Sequence, residues 1–228
     1  MQYFVAGTDT DCGKTLIASA LLYRAKQTGT TLGVKPVASG CELTPDGLRN
    51  SDALSLMTQS TLKLAYSQVN PFAFAPAIAP HIAALQCGQN LTSTVIIDHL
   101  ATLPFTDVDF AIVEGAGGWR LPLNQEEFLS QVVQRLSLPV ILVVGVKLGC
   151  LNHALLTQEA MLADGVQIAG WVANMVDPAM SVAQQNLDSL HHLMSSPCLG
   201  VVPYFSALDE QAKVSEAARH LSLDVLNQ

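Results

Sequence analysis

Short, continuous apolar runs alternate with longer stretches whose apolar positions recur every three to four residues, and this rhythm carries most of the chain. The runs "YFVAG" (3–7), "TLGVKPV" (31–37), "VDFAIVEG" (108–115), "LPVILVVGV" (138–146), "QIAGWVANMV" (167–176) and "CLGVVPY" (198–204) predict six strands buried on both faces. Between them, "KTLIASALLYRAKQTG" gathers its apolar residues on one helical face, with Gly29 closing the element. "NHALLTQEAMLADG" (152–165) keeps the same period and stops at Gly165. "EEFLSQVVQRLS" places Phe128, Leu129, Val132, Val133 and Leu136 on a single helical stripe. Strands alternating with helices predict an α/β protein with a mostly parallel sheet and helices on both faces. Residues 36–107 form a long excursion between neighbouring strands, with helical pieces near 52–58 and 93–103. Its Pro- and Ala-rich segment "NPFAFAPAIAPHIAA" (70–84) reads as an ordered loop leading into a helix. No repeat, low-complexity tract or linker interrupts the pattern, so residues 1–228 are expected to form one domain.

Composition narrows the function. Half of the 228 residues are hydrophobic and 13% are charged, enough for a deep core and too apolar for a disordered chain. The formal net charge of -8 argues against a nucleic-acid groove or an anionic membrane surface as partner. The longest apolar run, 138–146, is too short to cross a bilayer. Five cysteines, an odd number with no C-x-x-C pair, point to reduced thiols. With no basic region or cleavage signal ahead of the first strand, a cytoplasmic protein is expected.

Parallel sheets bind ligands outside the carboxyl ends of their strands, so the residues following each run carry the candidate chemistry. After the first strand comes "GTDTDCGKT" (7–15), whose Gly-Lys-Thr ends a phosphate-binding pattern that normally has four residues between its glycines. Here Gly7 and Gly13 enclose five. A glycine-rich turn opening a helix still aims backbone N–H groups and the helix dipole at one point. Lys14 adds a cation for the outer phosphates and the Thr15 hydroxyl suits a magnesium ion. An exposed turn lysine is the plain alternative, but the strand before and the helix after favour the phosphate cradle. Only six lysines occur, and Lys14, Lys35 and Lys147 all follow apolar runs in glycine-containing loops, which predicts a local anion site. Glu114 ends the third run ahead of Gly115, Ala116 and Gly117, where an acid suits a metal ligand and the glycines admit a ligand close to the backbone. Asp52 reads equally as a ligand or as the acid of a helix first turn. Asn152 reads first as a helix N-cap, and Asn174 as either a base-reading amide or a turn residue. His191 and His192 fit a wet helix face better than a metal site. No G-x-S-x-G elbow supports an acyl-transfer serine, and the absence of the N-K-x-D guanine selector favours ATP over GTP.

The ordered set "GTDTDCGKT", "KPVASG", "GLRNSDA", "VEGAGGW", "LPVILVVGVKLGCLNHALLT" and "AGWVAN" resembles the dethiobiotin synthetase family, from residue 3 to about 210. The resemblance implies a three-layer P-loop NTPase-like fold and an ATP- and Mg2+-dependent ring closure of 7,8-diaminopelargonate with CO2 (or bicarbonate), giving dethiobiotin, ADP and phosphate. It implies that a substrate amine takes up CO2 as a carbamate, that the carbamate attacks the ATP γ-phosphate, and that the second amine then closes the ring and expels phosphate. By the same resemblance Asp11, Cys12, Gly13, Lys14, Thr15 and Leu16 form the nucleotide loop, with Gly115, Ala116 and Gly117 beside it. Thr15, Asp52 and Glu114 would surround magnesium, and Lys35 and Lys14 would be catalytic. Asn174, Met175, Pro203, Tyr204, Phe205 and Glu210 match the nucleotide's base side. Thr10 and Ser39 match positions that contact the diamine or its carbamate, and Leu151 and Asn152 the segment that holds the substrate carboxylate across a homodimer. Asp11 stands where some relatives have Glu, and His81 receives no role. The competing class is a partitioning-type ATPase with a deviant P-loop, a switch module whose signature lysine early in the loop is replaced here by Thr8, Asp9, Thr10 and Asp11.

Overall fold

The six apolar runs become the six strands of one sheet in the computed structural model, which describes residues 1–227. In chain order the first elements are β1 (Gln2–Gly7), α1 (Lys14–Ala25), β2 (Thr31–Val34), β3 (Val37–Ala38), β4 (Glu42–Thr44) and β5 (Gly47–Arg49). Then come α2 (Ser51–Gln59), α3 (Tyr66–Val69), β6 (Phe72–Ala73), α4 (Pro80–Gln86) and α5 (Ser93–Ala101). The remainder comprises β7 (Phe110–Glu114), α6 (Ser130–Leu136), β8 (Val140–Val146), α7 (Cys150–Ala163), β9 (Ile168–Met175), α8 (Ala183–Leu193), β10 (Cys198–Val202) and α9 (Glu210–Arg219). Sheet order is β10-β9-β8-β1-β7-β2, with every neighbouring pair parallel.

Side chains alternate across this sheet as the pleat requires, and each strand therefore feeds two cores. Phe4, Ala6, Ala111, Val113, Leu142 and Val144 face one layer, while Tyr3, Val5, Phe110, Ile112, Ile141 and Val143 face the other. α1 closes the second core with Ile17, Leu21 and Leu22, together with Ala217 of α9. Val132 and Val133 of α6, with Ala154 and Met161 of α7, cover the first. Burying an aliphatic side chain of this size contributes about 1.5–3 kcal/mol, so the two-sided sheet is the main source of stability.

Strand order also locates the crevice. The chain leaves β1, visits the edge at β2, returns to β7, and then crosses to β8 on the other side of β1. Such a reversal opens space at the carboxyl ends of the central strands.

Three local expectations change. The second strand ends at Val34 and not at residue 37, because Pro36 has no N–H for the ladder. Lys35 N–H instead donates to Val69 O, and β3 pairs in parallel with β6 as a separate two-stranded sheet. Phe128 lies outside α6 and is 38% exposed. The Asn124 side chain accepts from the N–H groups of Glu126 and Glu127, while the Glu127 carboxylate accepts from Ser93 N–H, which pulls "EEF" out of the helix. Asn152 is not the N-cap of α7: the helix begins at Cys150, capped by Gly149 at φ 91°. His191 and His192 do lie on an exposed face of α8. Among the described residues no helix is long and apolar enough to cross a membrane.

Candidate active site

The loop between β1 and α1 is pressed onto the sheet by its own Cys12. That side chain is fully buried, and two glycines make room for it. A Cβ on Gly7 would come within 2.4 Å of Cys12 Sγ, and one on Gly145 within 2.9 Å of Cys12 Cα. Asn174, at the end of β9, donates from Nδ2 to Cys12 O at 2.9 Å. Gly13 then turns into α1 at φ 87°, where an added Cβ would sit 2.0 Å from Asn174 Nδ2. Asp11 also takes a left-handed conformation, φ 57°, which is uncommon for a residue with a side chain. The extra residue between the glycines is thus absorbed in a tightly held turn whose first helical amides face the crevice end of the sheet. Lys14 is largely buried and donates to Asp9 O at 2.9 Å.

Beside the loop, β7 and β2 deliver a second cluster. Glu114, 1% exposed, accepts at Oε1 from Thr15 Oγ1 (2.7 Å) and from Lys35 Nζ (2.5 Å). Its other oxygen, Oε2, is buried and has no hydrogen-bond partner. Lys35, 4% exposed, also pairs with Asp52 Oδ2 at 2.8 Å. Burial works against the Lys35 ammonium, but the carboxylates of Glu114 and Asp52 outweigh it and hold its pKa above the ordinary lysine value. Lys35 is therefore a permanent cation across the neutral range. Ser39 adds a buried hydroxyl without a partner to the same cleft.

A relay of hydrogen bonds fixes the spacing between the Lys35 backbone and the helix that carries Asp52. Asn70 Nδ2 donates to Lys35 O at 2.6 Å, and Tyr66 Oη donates to Asn70 Oδ1 at 2.8 Å. Asn50 N–H donates to the same Tyr66 oxygen at 2.7 Å. Asn50 in turn caps α2, accepting from Ala53 N–H, and this sets Asp52 in the first helical turn. Asp52 thus takes the helix first-turn position, from which it pairs with Lys35 in the cleft.

Thr10, Asp11, Gly13, Lys14, Thr15, Lys35, Ser39, Asp52, Glu114, Ala116, Gly117 and Glu210 line one cleft of about 1030 Å3. Cys12 and Asn174 lie beneath the loop, not in the cleft wall. Gly115 is backed against Phe4, whose ring a Cβ would approach to 2.8 Å. Leu16, Met175, Pro203, Tyr204, Phe205, Leu151 and Asn152 are outside the cleft lining. Of the three lysines expected to make an anion site, Lys14 and Lys35 reach the cleft, whereas Lys147 pairs with Asp9. Sequence reasoning did not single out Ile78, Pro80, Leu121 or Lys213, which also line it. Lys213 alone carried a readable signal: its spacing from Glu210 puts both on one face of a helix, and they pair at 2.7 Å.

A parallel sheet with a glycine-rich loop before its first helix, and a lysine-threonine pair beside a buried acid, defines a P-loop nucleotide-binding protein. A family described as an AAA domain matches residues 1–212. Solved structures agree on the fold: the septum site-determining protein MinD of Pyrococcus horikoshii, complexed with Mg-ADP, superposes with a TM-score of 0.57 at 16% identity. That match covers 95% of this chain and 86% of MinD. A ParA family ATPase of Chlorobium tepidum gives 0.55 at 16% identity, covering 99% and 91%. Sequence relatives are far nearer. The ATP-dependent dethiobiotin synthetase BioD of Chromohalobacter salexigens is 52% identical over 230 residues, covering 97% of each chain. That of Pseudomonas aeruginosa is 53% identical over 222 residues, covering 97% of this chain and 96% of its own. The chain belongs to the ATP-dependent dethiobiotin synthetase family.

Proposed function

We propose that this cytoplasmic, single-domain enzyme uses ATP to close a cyclic urea on 7,8-diaminopelargonate with CO2, releasing dethiobiotin, ADP and phosphate. Family membership over nearly the whole chain supports the activity. The observation that carries the chemistry is the buried Lys35 ammonium, held between two carboxylates in the cleft that the phosphate loop opens.

Each step asks for positive charge where negative charge collects. An amine that captures CO2 becomes a carbamate, an anion that must approach the γ-phosphate of an already anionic nucleotide. Lys35, kept protonated by its neighbours, offsets that repulsion and stabilises the phosphoryl group in transfer. Lys14 leaves the Asp9 carbonyl to meet the outer phosphates, and the first amides of α1 hold the inner ones. Ser39, with its unpartnered hydroxyl, and Thr10 both line the cleft, and they are proposed to orient the diamine.

Thr15, Asp52 and Glu114 suit Mg2+. They are hard oxygen donors, and the orphaned Glu114 Oε2 is a buried acceptor that lacks a partner. Among the described residues no group of three or more His, Cys, Asp or Glu side chains could hold a metal ion. None is required, because Mg2+ in nucleotide sites is commonly held by one or two carboxylates plus the phosphates themselves. When bound, the ion would neutralise charge on the β- and γ-phosphate oxygens. Tyr204, Phe205, Pro203, Met175, Asn174 and Glu210 belong to the ends of β9 and β10 and the start of α9, on the side proposed for the base. Leu151 and Asn152, at the start of α7, are proposed to meet the substrate carboxylate of a second subunit in a homodimer.

Phosphate release from ATP, measured with and without 7,8-diaminopelargonate and bicarbonate, tests the reading. Release that needs both is expected; a rate indifferent to the diamine would refute it.

A further inference from the structure

We infer that Asp9 and Lys147 form a clamp that sets the phosphate loop for ATP, with Lys147 acting as a positioning residue. The inference rests on the ATP site proposed above. Lys147 follows β8, and its Nζ reaches back to Asp9 Oδ2 at 2.8 Å across 138 residues of sequence. The other Asp9 carboxylate oxygen, Oδ1, accepts from Thr10 N–H at 2.8 Å. The Asp9 carbonyl accepts from Lys14 Nζ at 2.9 Å. One residue thus ties the loop to itself, to the neighbouring strand, and to the ammonium that must turn toward phosphate.

Each contact has a consequence for nucleotide entry. Lys14 has to exchange the Asp9 carbonyl for a phosphate oxygen, and Asp9 then loses one of its three ties. The carboxylate remains anchored by Thr10 and Lys147, so the turn through left-handed Asp11 keeps its shape. Charge matters as well. Asp9 and Asp11 bring two carboxylates into a loop that must receive a polyanion, and Lys147 neutralises the first of them. The pair is partly exposed, 36% for Lys147 and 40% for Asp9. An ion pair in that environment adds little to global stability, so its effect falls on loop geometry and local charge.

The test compares the unaltered protein with Lys147→Met, Lys147→Arg and the double variant Asp9→Asn/Lys147→Met. Affinity for a non-hydrolysable ATP analogue is measured by calorimetry, with KM for ATP, kcat and Tm measured alongside. Lys147→Met is expected to weaken binding and raise KM for ATP by about tenfold, with kcat at saturating ATP and Tm little changed. Lys147→Arg should stay within about threefold of the unaltered protein, and the double variant should recover at least about threefold over Lys147→Met, since the unpaired charge is gone. Binding by Lys147→Met within about twofold of the unaltered protein would overturn the clamp alone, as would a double variant no better than the single one. Failure of the unaltered protein itself to bind the analogue would overturn the ATP-site reading, and the clamp with it.

Discussion

At the phosphate end of the cleft, Lys35 is 4% exposed, Glu114 1% and Lys14 7%, and every one of them is engaged by a neighbour. On the α9 side, the Glu210 side chain is 89% exposed, its partner Lys213 28%, and Tyr204 is half-exposed. Both regions carry an acid-lysine contact at 2.5–2.7 Å, yet their energetics differ in kind. A buried charge that loses its partner is stranded without water, whereas an exposed one is simply rehydrated. The phosphate end is consequently intolerant and geometrically defined. The α9 side, proposed for the base, is open and adjustable, as a site can be when the triphosphate supplies most of the anchoring.

Four substitutions sharpen or break that contrast. The largest effect is expected for Lys35→Gln, which removes the cation proposed to face the reacting groups and leaves Glu114 and Asp52 close together. Turnover should fall by about two orders of magnitude or more while the far-ultraviolet spectrum persists, and near-normal phosphate release would take Lys35 out of the mechanism. Gly13→Ala comes next. Its Cβ would meet Asn174 Nδ2 at 2.0 Å at a φ of 87°, so the loop must shift. Binding of an ATP analogue should weaken by about tenfold or more, and calorimetric affinity within about twofold of normal would show the loop to be less constrained than its packing implies.

Tyr66→Phe removes only the hydroxyl that joins Asn50 N–H to the Asn70 amide. A loss of about 1–2 kcal/mol in unfolding free energy is expected, with a several-fold drop in kcat/KM because Lys35 and Asp52 lose their spacing. Chemical denaturation and steady-state kinetics measure the two. Smallest of all is Lys213→Ala: KM for ATP should change by less than about threefold and Tm hardly at all. A tenfold change there would erase the contrast between the two sides. The pH response follows the same logic. Because the folded-state pKa of Lys35 is raised, its ion pairs stabilise fully below the ordinary lysine pKa of about 10.4 and are lost only as pH rises through the higher folded value. Between about pH 7 and 10, unfolding free energy should therefore show no decline from this cluster.

Much of the phosphate end was legible in the sequence because its cues are local. The Gly-Lys-Thr turn, the lysine after the second apolar run and the acid after the third all sit at strand ends, where a parallel sheet collects its ligands. The rest was hidden for physical reasons. Phe128 has the right spacing for a helical stripe, but the Asn124 side chain takes the N–H groups of Glu126 and Glu127, and Glu127 is tied away to Ser93 N–H. Asn174 could be assigned to a base edge or to its own turn, and its amide also ties Cys12 O of the loop, a contact across 162 residues that no local cue announces. Lys147 looked like a third cleft cation until the structure placed Asp9 beside it.

By itself the sequence determined the alternation of strands and helices, the position of the glycine-rich turn and the identity of the charged groups at the strand ends. These depend on periodicity and backbone chemistry acting over a few residues. Only the tertiary structure decided the pairings: Lys35 with Glu114 at a separation of 79 residues, Asp9 with Lys147 at 138, and Asn174 with Cys12 at 162. Those pairings are set by the strand order β9-β8-β1-β7-β2, which puts the ends of β2 and β7, of β1 and β8, and of β1 and β9 near one another, an order that no local signal encodes. The sheet must assemble before these charges know their partners.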